Sequence, residues 1–316
     1  MNFSISQVHI APVYLVLVGF AVGVLGGLFG VGGSFLAGPA LFGFGLPMNF
    51  VVGTDLAHIM GKSVVAARKH YLLGNIDFRL GGLMLFGTIP GVECGARLIE
   101  RLKRSAHVDE VVGLTFILIL VTISLFMAWE SWATLKKNRS TVAGKKGRSS
   151  NGSAKEDDRS VFAFVAHHVQ RFHLPPFVRL PASGIPRVSF LVIIGVSFVG
   201  GFFSGFLGGG AGYIRMPSMI YILGIPTRVA VGTDLFEVII SAGFGTITHA
   251  LKGNVDVLVA LVMHTGAALG AQFGAVLTQY VSGTRIRLAF FPLPLIGALI
   301  IAYGLWAKHA VTPGAF

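Results

Sequence analysis

Charge is scarce in this 316-residue chain: Asp, Glu, Lys and Arg together make up 12% of it, against about a quarter in an ordinary soluble domain. With 53% of the residues apolar, a soluble fold is excluded, because too little polar side chain is left to cover a core. Cysteine is nearly absent as well. Cys94 stands alone, so the chain has no intrachain disulfide and no thiolate metal cluster, and that thiol is expected to be a small packing residue. No HExxH zinc motif occurs, and neither glycine cluster ends in Gly-Lys-Ser or Gly-Lys-Thr, as a nucleotide-binding loop would. Gly201-Phe202-Phe203-Ser204-Gly205 does not match a hydrolase nucleophile elbow. The chain therefore reads as a non-enzyme without catalytic residues, metal or cofactor.

What is abundant is long apolar sequence. Windows near 10–30, 50–73, 79–99, 109–132, 188–208, 228–250, 256–281 and 288–307 are each long enough to cross a bilayer core of roughly 30 Å as a helix. The first follows a start without Lys or Arg and lacks a small-x-small cleavage site, so it is expected to be a retained helix rather than a signal peptide. Basic residues outnumber acidic ones, 25 to 13, but eleven of the 25 lie between Lys136 and Arg187. No stacking aromatics interleave with that run, which argues against nucleic acid. A basic loop on the cytoplasmic side of the plasma (inner) membrane explains it instead.

The chain also repeats itself. His70-Tyr71-Leu72-Leu73-Gly74-Asn75-Ile76-Asp77 returns as His249-Ala250-Leu251-Lys252-Gly253-Asn254-Val255-Asp256, and Val52-Gly53-Thr54-Asp55-Leu56 as Val231-Gly232-Thr233-Asp234-Leu235, both displaced by 179 positions. The predicted plan is a first transmembrane repeat over 1–133, a basic cytoplasmic linker over 134–185, and a second repeat over 186–316. Within the linker, Val161, Phe162, Val165, Val169 and Phe172 recur at helical spacing, as in an amphipathic helix lying on the membrane, or simply as an apolar patch before the next span. Pro175, Pro176, Pro181 and Pro186 exclude a regular helix after it. The expected fold class is an all-α integral membrane protein of about 8–10 transmembrane segments. Its two homologous repeats each contain a glycine-rich broken or re-entrant helix. If the short piece after each glycine cluster crosses, each half has five passes and the repeats are inverted; if it re-enters, each has four and they are parallel. Inverted repeats are the expectation.

Gly30, Gly32 and Gly33, followed by Ser34, and the run Gly208, Gly209, Gly210 are too dense for a smooth helix. A break at membrane depth is tolerable only where protein or a watery cavity receives the freed backbone groups, and a helix starting there aims N–H groups at an anion. Close packing by small residues is the structural alternative, and Gly19, Gly23 and Gly27 fit it. On the following helix, Asp55, His58 and Lys62 fall on one face, as do Asp234, Glu237 and Ser241 in the second copy. Such a stripe should face a cavity or a partner charge, since a charge at a helix centre costs about 2.5–3.5 kcal/mol on insertion scales. Lys62 either contacts substrate or pairs with Asp55. Arg215, beside Tyr213, either grips an oxyanion through two parallel hydrogen bonds or reaches lipid headgroups. Glu93 is a candidate proton carrier or a packing hydrogen bond. His70 and His249 read first as capping residues and second as proton handlers.

Glycine-rich break, proline, Gly-x-Pro and Val-Gly-Thr-Asp-Leu helix follow one another over Phe29–Thr54 and again over Leu207–Thr233. In this order the chain resembles the sulfite exporter TauE/SafE family over nearly everything outside the linker. The resemblance implies movement of sulfite, small organosulfonates or related sulfur-containing anions. Asp55 and Asp234 stand where Ser is common in that pattern. Two functions follow: a secondary anion transporter or exporter working by alternating access, or a proton-coupled or cation carrier using Asp55, Asp234, His58 and Glu237. The expected partners are the lipid bilayer, a small anion and a coupling proton, with a homodimer as one candidate assembly.

Overall fold

The computed structural model describes residues 2–3, 5, 8–30, 33–104, 107–144, 175–281 and 283–311. The first half holds α1 (Pro12–Phe29), the short α2 (Ser34–Gly43), α3 (Met48–Leu72), α4 (Phe78–Arg104) and α5 (Val108–Gly144). A small antiparallel hairpin, β1 (Asn2–Phe3) with β2 (Val8–His9), precedes them. The second half opens on another hairpin, β3 (Phe177–Leu180) with β4 (Ile185–Ser189). It continues with α6 (Phe190–Leu207), a 3-10 turn at Gly209–Ala211, the short α7 (Gly212–Ser218), a π-helical turn at Met219–Leu223, α8 (Thr227–Leu251), α9 (Val257–Leu277), α10 (Gly283–Phe290) and α11 (Pro292–Val311). Among the described residues, eight helical stretches are long and apolar enough to cross a membrane. The protein is an all-α, multi-pass membrane protein. Helical backbone in α5 runs to Gly144, past the expected repeat boundary at 133. The anticipated amphipathic helix over 161–172 lies outside the described residues. The proline-rich approach to the second half is the β3–β4 hairpin, in keeping with the exclusion of helix there.

Two helix pairs bring backbones of the two halves into direct contact along their lengths, and small residues decide both. Along α1, Gly19, Gly23 and Gly27 face the backbone of Met263, Ala267 and Ala271 in α9, while Gly266, Gly270 and Gly274 face Val16, Phe20 and Val24 in return. In the other pair, Gly87, Gly91 and Gly95 of α4 meet Ile194, Phe198 and Phe202 of α6, and Gly201 and Gly205 meet Thr88 and Val92. In both pairs the numbering rises together, so the helices are parallel. Lipid provides no hydrophobic drive for helix association, and close approach of backbones takes its place.

The repeated motifs are each other's partners. Thr54 Oγ1 accepts the Asp256 amide at 2.9 Å, and Thr233 Oγ1 accepts the Asp77 amide at 2.9 Å. A Cβ on Gly53 would lie 2.2 Å from the Asn254 carbonyl oxygen, and one on Gly232 would lie 2.2 Å from that of Asn75. Hence the start of α3 packs beside the end of α8, the start of α8 beside the end of α3, and the two run antiparallel. Asp77 and Asp256 also accept amides of the first turns of α4 and α9, which fixes the tight turns at Gly74 and Gly253.

Replacing Gly91 by Val should lower stability by at least about 1–3 kcal/mol, because its Cβ would meet the Phe198 carbonyl oxygen at 2.4 Å. Gly82→Val in the same helix, where nothing lies within 4 Å, should be near neutral. Thermal unfolding of the detergent-solubilised variants measures both. Equal melting temperatures would remove the packing argument.

Candidate functional site

His70 and His249 end their helices by gripping a neighbour. Each Nε2 bonds a carbonyl near the end of the preceding span, Gly27 at 3.1 Å and Gly205 at 2.9 Å. A carbonyl only accepts, so each Nε2 carries the proton; His70 Nδ1 then faces the Asn75 amide at 3.4 Å. These contacts align the ends of α1 and α3, and of α6 and α8. The short segments between them must therefore travel back across the helix layer.

Both returns begin at a true break. Gly30 and Gly33 have φ of +74° and +70°, and the second break holds four successive positive values, at Gly208, Gly209, Gly210 and Ala211. Glycine adopts this backbone freely, whereas Ala211, at φ +47°, stores of order 1–3 kcal/mol of strain. The breaks are not open cradles along their whole length. A Cβ on Gly30 would sit 2.5 Å from Val231 Cα and one on Gly208 2.9 Å from Val52 Cα, so each bend docks on the Val-Gly-Thr segment of the other half. Gly210 packs on Val238. Gly32 and the side chain of Ser34 lie outside the described residues.

Lys62 reaches the first break. A Cβ on Gly33 would be 3.2 Å from its Nζ, and Gly33 is the N-cap of α2, which has no side-chain cap. The ammonium thus lies beside a helix N-terminus, where two positive contributions add. Asp55 and His58 share this face, with His58 Nδ1 3.5 Å from Asp55 Oδ1. All three residues are at most 1% exposed, and neither carboxylate oxygen, neither imidazole nitrogen nor the Lys62 amine has a hydrogen-bond partner among the described residues. Asp55 and Lys62 lie within electrostatic reach of each other, yet no hydrogen bond joins them. The buried hydroxyl of Tyr213, also unpartnered, lies within electrostatic reach of Asp55.

The matching face of the second half is built differently. Arg215 Nε donates to Asp234 Oδ1 at 2.6 Å, and its Nη1 lies 2.6 Å from Glu237 Oε2. Ser241 Oγ donates to that same Glu237 oxygen at 3.1 Å. All four side chains are fully buried, and the aliphatic part of Arg215 passes over Gly200 of α6. The fully buried guanidinium therefore does not reach lipid headgroups, and its Nη2 has no hydrogen-bond partner among the described residues. It is held between two carboxylates, and the charge stripe of α8 finds its counter-ion inside the protein.

Glu93 lies apart from both faces. Its side chain is 31% exposed, pairs with Arg97 at 2.7 Å and lies 4.0 Å from Lys252. One participant escaped the sequence reading: His264 of α9, whose ring lies against Gly61 of α3 and within electrostatic reach of His58. A lone histidine inside an apolar span is its only signal, because the 179-residue offset gives Leu85 at the matching place. An apolar cleft of about 460 Å³ between α5 and the α7 segment has Tyr213, Pro217 and Tyr221 in its wall.

Arg215→Met would strand two buried carboxylates and should cost about 3–5 kcal/mol of stability. Adding Asp234→Asn and Glu237→Gln to it should recover much of that loss. Thermal unfolding in detergent is the measurement, and an Arg215→Met protein melting like the parent would show that the triad does not form.

Comparison with known proteins places this architecture among transporters. The family profile described as sulfite exporter TauE/SafE matches residues 15–301. The probable membrane transporter protein YunE of Bacillus subtilis strain 168 is 25% identical over 304 residues, covering 93% of this chain and 99% of that protein. The probable membrane transporter protein YdhB of the same strain is 26% identical over 292 residues, covering 92% and 99%. Sulfite exporter TauE/SafE family protein 5 of Arabidopsis thaliana is 26% identical over 130 residues, covering 40% of this chain and 28% of that protein. No solved structure matches the chain.

Proposed function

The chain belongs to the sulfite exporter TauE/SafE family of membrane transporters, and we propose on that premise that it moves small sulfur-containing anions, sulfite or organosulfonates, by alternating access. The observation that carries this reading is the Lys62 amine, buried, set against the start of α2 and, among the described residues, without a hydrogen-bond partner. Backbone N–H groups, a helix dipole and a desolvated ammonium converge there, and each favours an oxyanion. Gly30, Gly33 and Ser34 supply the bend. His58 and Tyr213 in the same region can donate to a solute's oxygens, while Asp55, which as a carboxylate only accepts, balances the charge of Lys62.

Membrane orientation follows from the helix directions. With both short segments returning across the layer, each half makes five passes, and the antiparallel, reciprocal contact of α3 with α8 supports a two-fold relation about an axis in the membrane plane. Inverted halves of this kind are a frequent basis of alternating access. The linker then shares a face with Arg68, Lys69, Arg79, Arg285 and Arg287, with Arg101, Lys103, Arg104 and Lys252 on the other; the eleven basic residues from Lys136 to Arg187 tip the balance, and the positive-inside rule then favours the linker face as cytoplasmic. A carrier of metal cations on Asp55, Asp234, His58 and Glu237 is the weaker reading. Arg215 already occupies Asp234 and Glu237, and among the described residues no group of three or more metal-binding side chains exists.

Proteoliposomes loaded with sulfite should lose it through the wild-type protein. Lys62→Met should slow that flux by about tenfold or more, the worth of one charge-assisted hydrogen bond of about 1.5–3 kcal/mol. Lys69→Met, at the end of the same helix, should not. Undiminished flux through Lys62→Met would refute the assignment, and a binding screen of sulfite, thiosulfate, sulfate, taurine and sulfoacetate would identify the cargo.

A further inference from the structure

The two polar faces occupy matched positions in the repeats but carry different charge. Asp55 and Asp234 correspond at the offset of 179 residues, and from there the copies diverge: His58 corresponds to Glu237, Lys62 to Ser241, and Ala37 of α2 to Arg215 of α7 across the 178-residue offset that holds before the indel. With His58 neutral, Asp55 and Lys62 cancel in the first half. In the second, Arg215 is opposed by two carboxylates, leaving one negative charge with no exposed surface to solvate it.

We infer that the second half is the coupling-proton site of this transporter, a single proton being held on the Asp234–Glu237 pair, while the first half takes the anion. This rests on the transport reading given for the Lys62 face. A net charge buried inside a membrane span costs several kcal/mol unless it is neutralised. The place for a proton is at hand, because Asp234 Oδ2 and Glu237 Oε1 are buried and without hydrogen-bond partners among the described residues. Protonation forms one O–H bond on one of these oxygens and takes the triad from a charge of minus one to zero; release restores the minus one. A metal cation would instead be repelled by a guanidinium only 2.6 Å from each acid.

The surroundings hold few competitors. α7 itself contributes Tyr213, and α8 carries two further charged or titratable groups, Arg228 at its exposed start, bonded to the Val281 carbonyl, and His249 at its far end on Gly205. From α3 come Asp55, His58 and Lys62. The helices α2 and α6 have no charged residue, and α4 has none between Arg79 and Glu93. The π-helical turn carries Tyr221, which is bonded to Glu130 of α5. In one half a proton neutralises an excess acid, and in the other an anion meets a lysine. Loading the two together leaves the buried region closer to neutral than loading the anion alone, so anion and proton should travel in the same direction.

The test uses the full-length protein in liposomes with a trapped pH dye and a gradient of methanesulfonate, which stays ionised and brings no proton of its own. The wild type should move protons with the sulfonate, and Glu237→Gln and Asp234→Asn should each lose the proton flux more completely than the anion flux. Sulfonate flux without proton movement in the wild type, or driven by a sodium gradient instead, would overturn the inference and leave the anion reading intact. Absence of any sulfite or methanesulfonate flux would instead sink the anion reading. Infrared difference spectra of the detergent-solubilised protein across a pH step decide the proton site independently of transport. A protonated-carboxyl band lost in Glu237→Gln or Asp234→Asn, but kept in Glu93→Gln, supports it. A band unchanged in both site variants overturns it, and Ser241→Ala, which removes only a hydrogen bond to Glu237, should shift the band if the site variants fold poorly.

Discussion

Backbone must touch backbone across the two halves before anything else in this protein can be in place. In lipid, apolar side chains gain nothing by leaving the bilayer for another helix, so association depends on how closely main chains approach and on the few polar contacts between them. The glycine rows of α1 with α9 and α4 with α6 provide that approach. The Val-Gly-Thr and Gly-Asn-x-Asp motifs then lock α3 against α8 through paired threonine-to-amide bonds. Since each motif docks on the other half's copy, neither half completes its own fold, and the polar faces of α3 and α8 are set in a fixed mutual relation.

That frame explains why charge can be buried so deeply. A guanidinium inside a span needs more than one acceptor, and Arg215 gets two because the break at Gly208–Ala211 turns α7 back along the face of α8 that carries Asp234 and Glu237. The left-handed Ala211 belongs to the same device. Its strain is sustained by the packing of Gly208 on Val52 and Gly210 on Val238, which hold the turn from both sides. The first break differs in one respect: what reaches it is the Lys62 amine, which has Asp55 within electrostatic reach but no hydrogen-bond partner among the described residues.

Much of this was legible in residue order. Span lengths and the polar stripes at Asp55 and Asp234 follow from periodicity and composition, and they correspond to helices and to buried faces. The rest was not, for identifiable reasons. Arg215 lies 19 residues before Asp234, and a helix break between them erases any periodic signal, so residue order offers an anion or lipid headgroups as its partner and not the two acids. Glu93 resembles an intramembrane acid in sequence, but Arg97 one turn away and Lys252 from α8 draw it toward an exposed pair. The glycines were ambiguous in kind, since a bend that exposes N–H groups and a notch that admits another backbone call for the same residue. Gly30 and Gly208 serve as both break and notch, while Gly19, Gly23 and Gly27 serve only as notch.

Duplication followed by divergence gives a transporter something that two identical halves lack. Mirrored scaffolds supply two equivalent buried faces, each near a helix break, and with identical side chains both would bind the same ion. Substituting Glu237, Ser241 and Arg215 at positions where the first half has His58, Lys62 and Ala37 changes the charge of one face without altering the backbone that holds it. The glycine contacts and the threonine bonds that join the halves are untouched by those substitutions. The shared main-chain contacts hold both faces in place, and the different side chains give the two faces different electrostatic preferences.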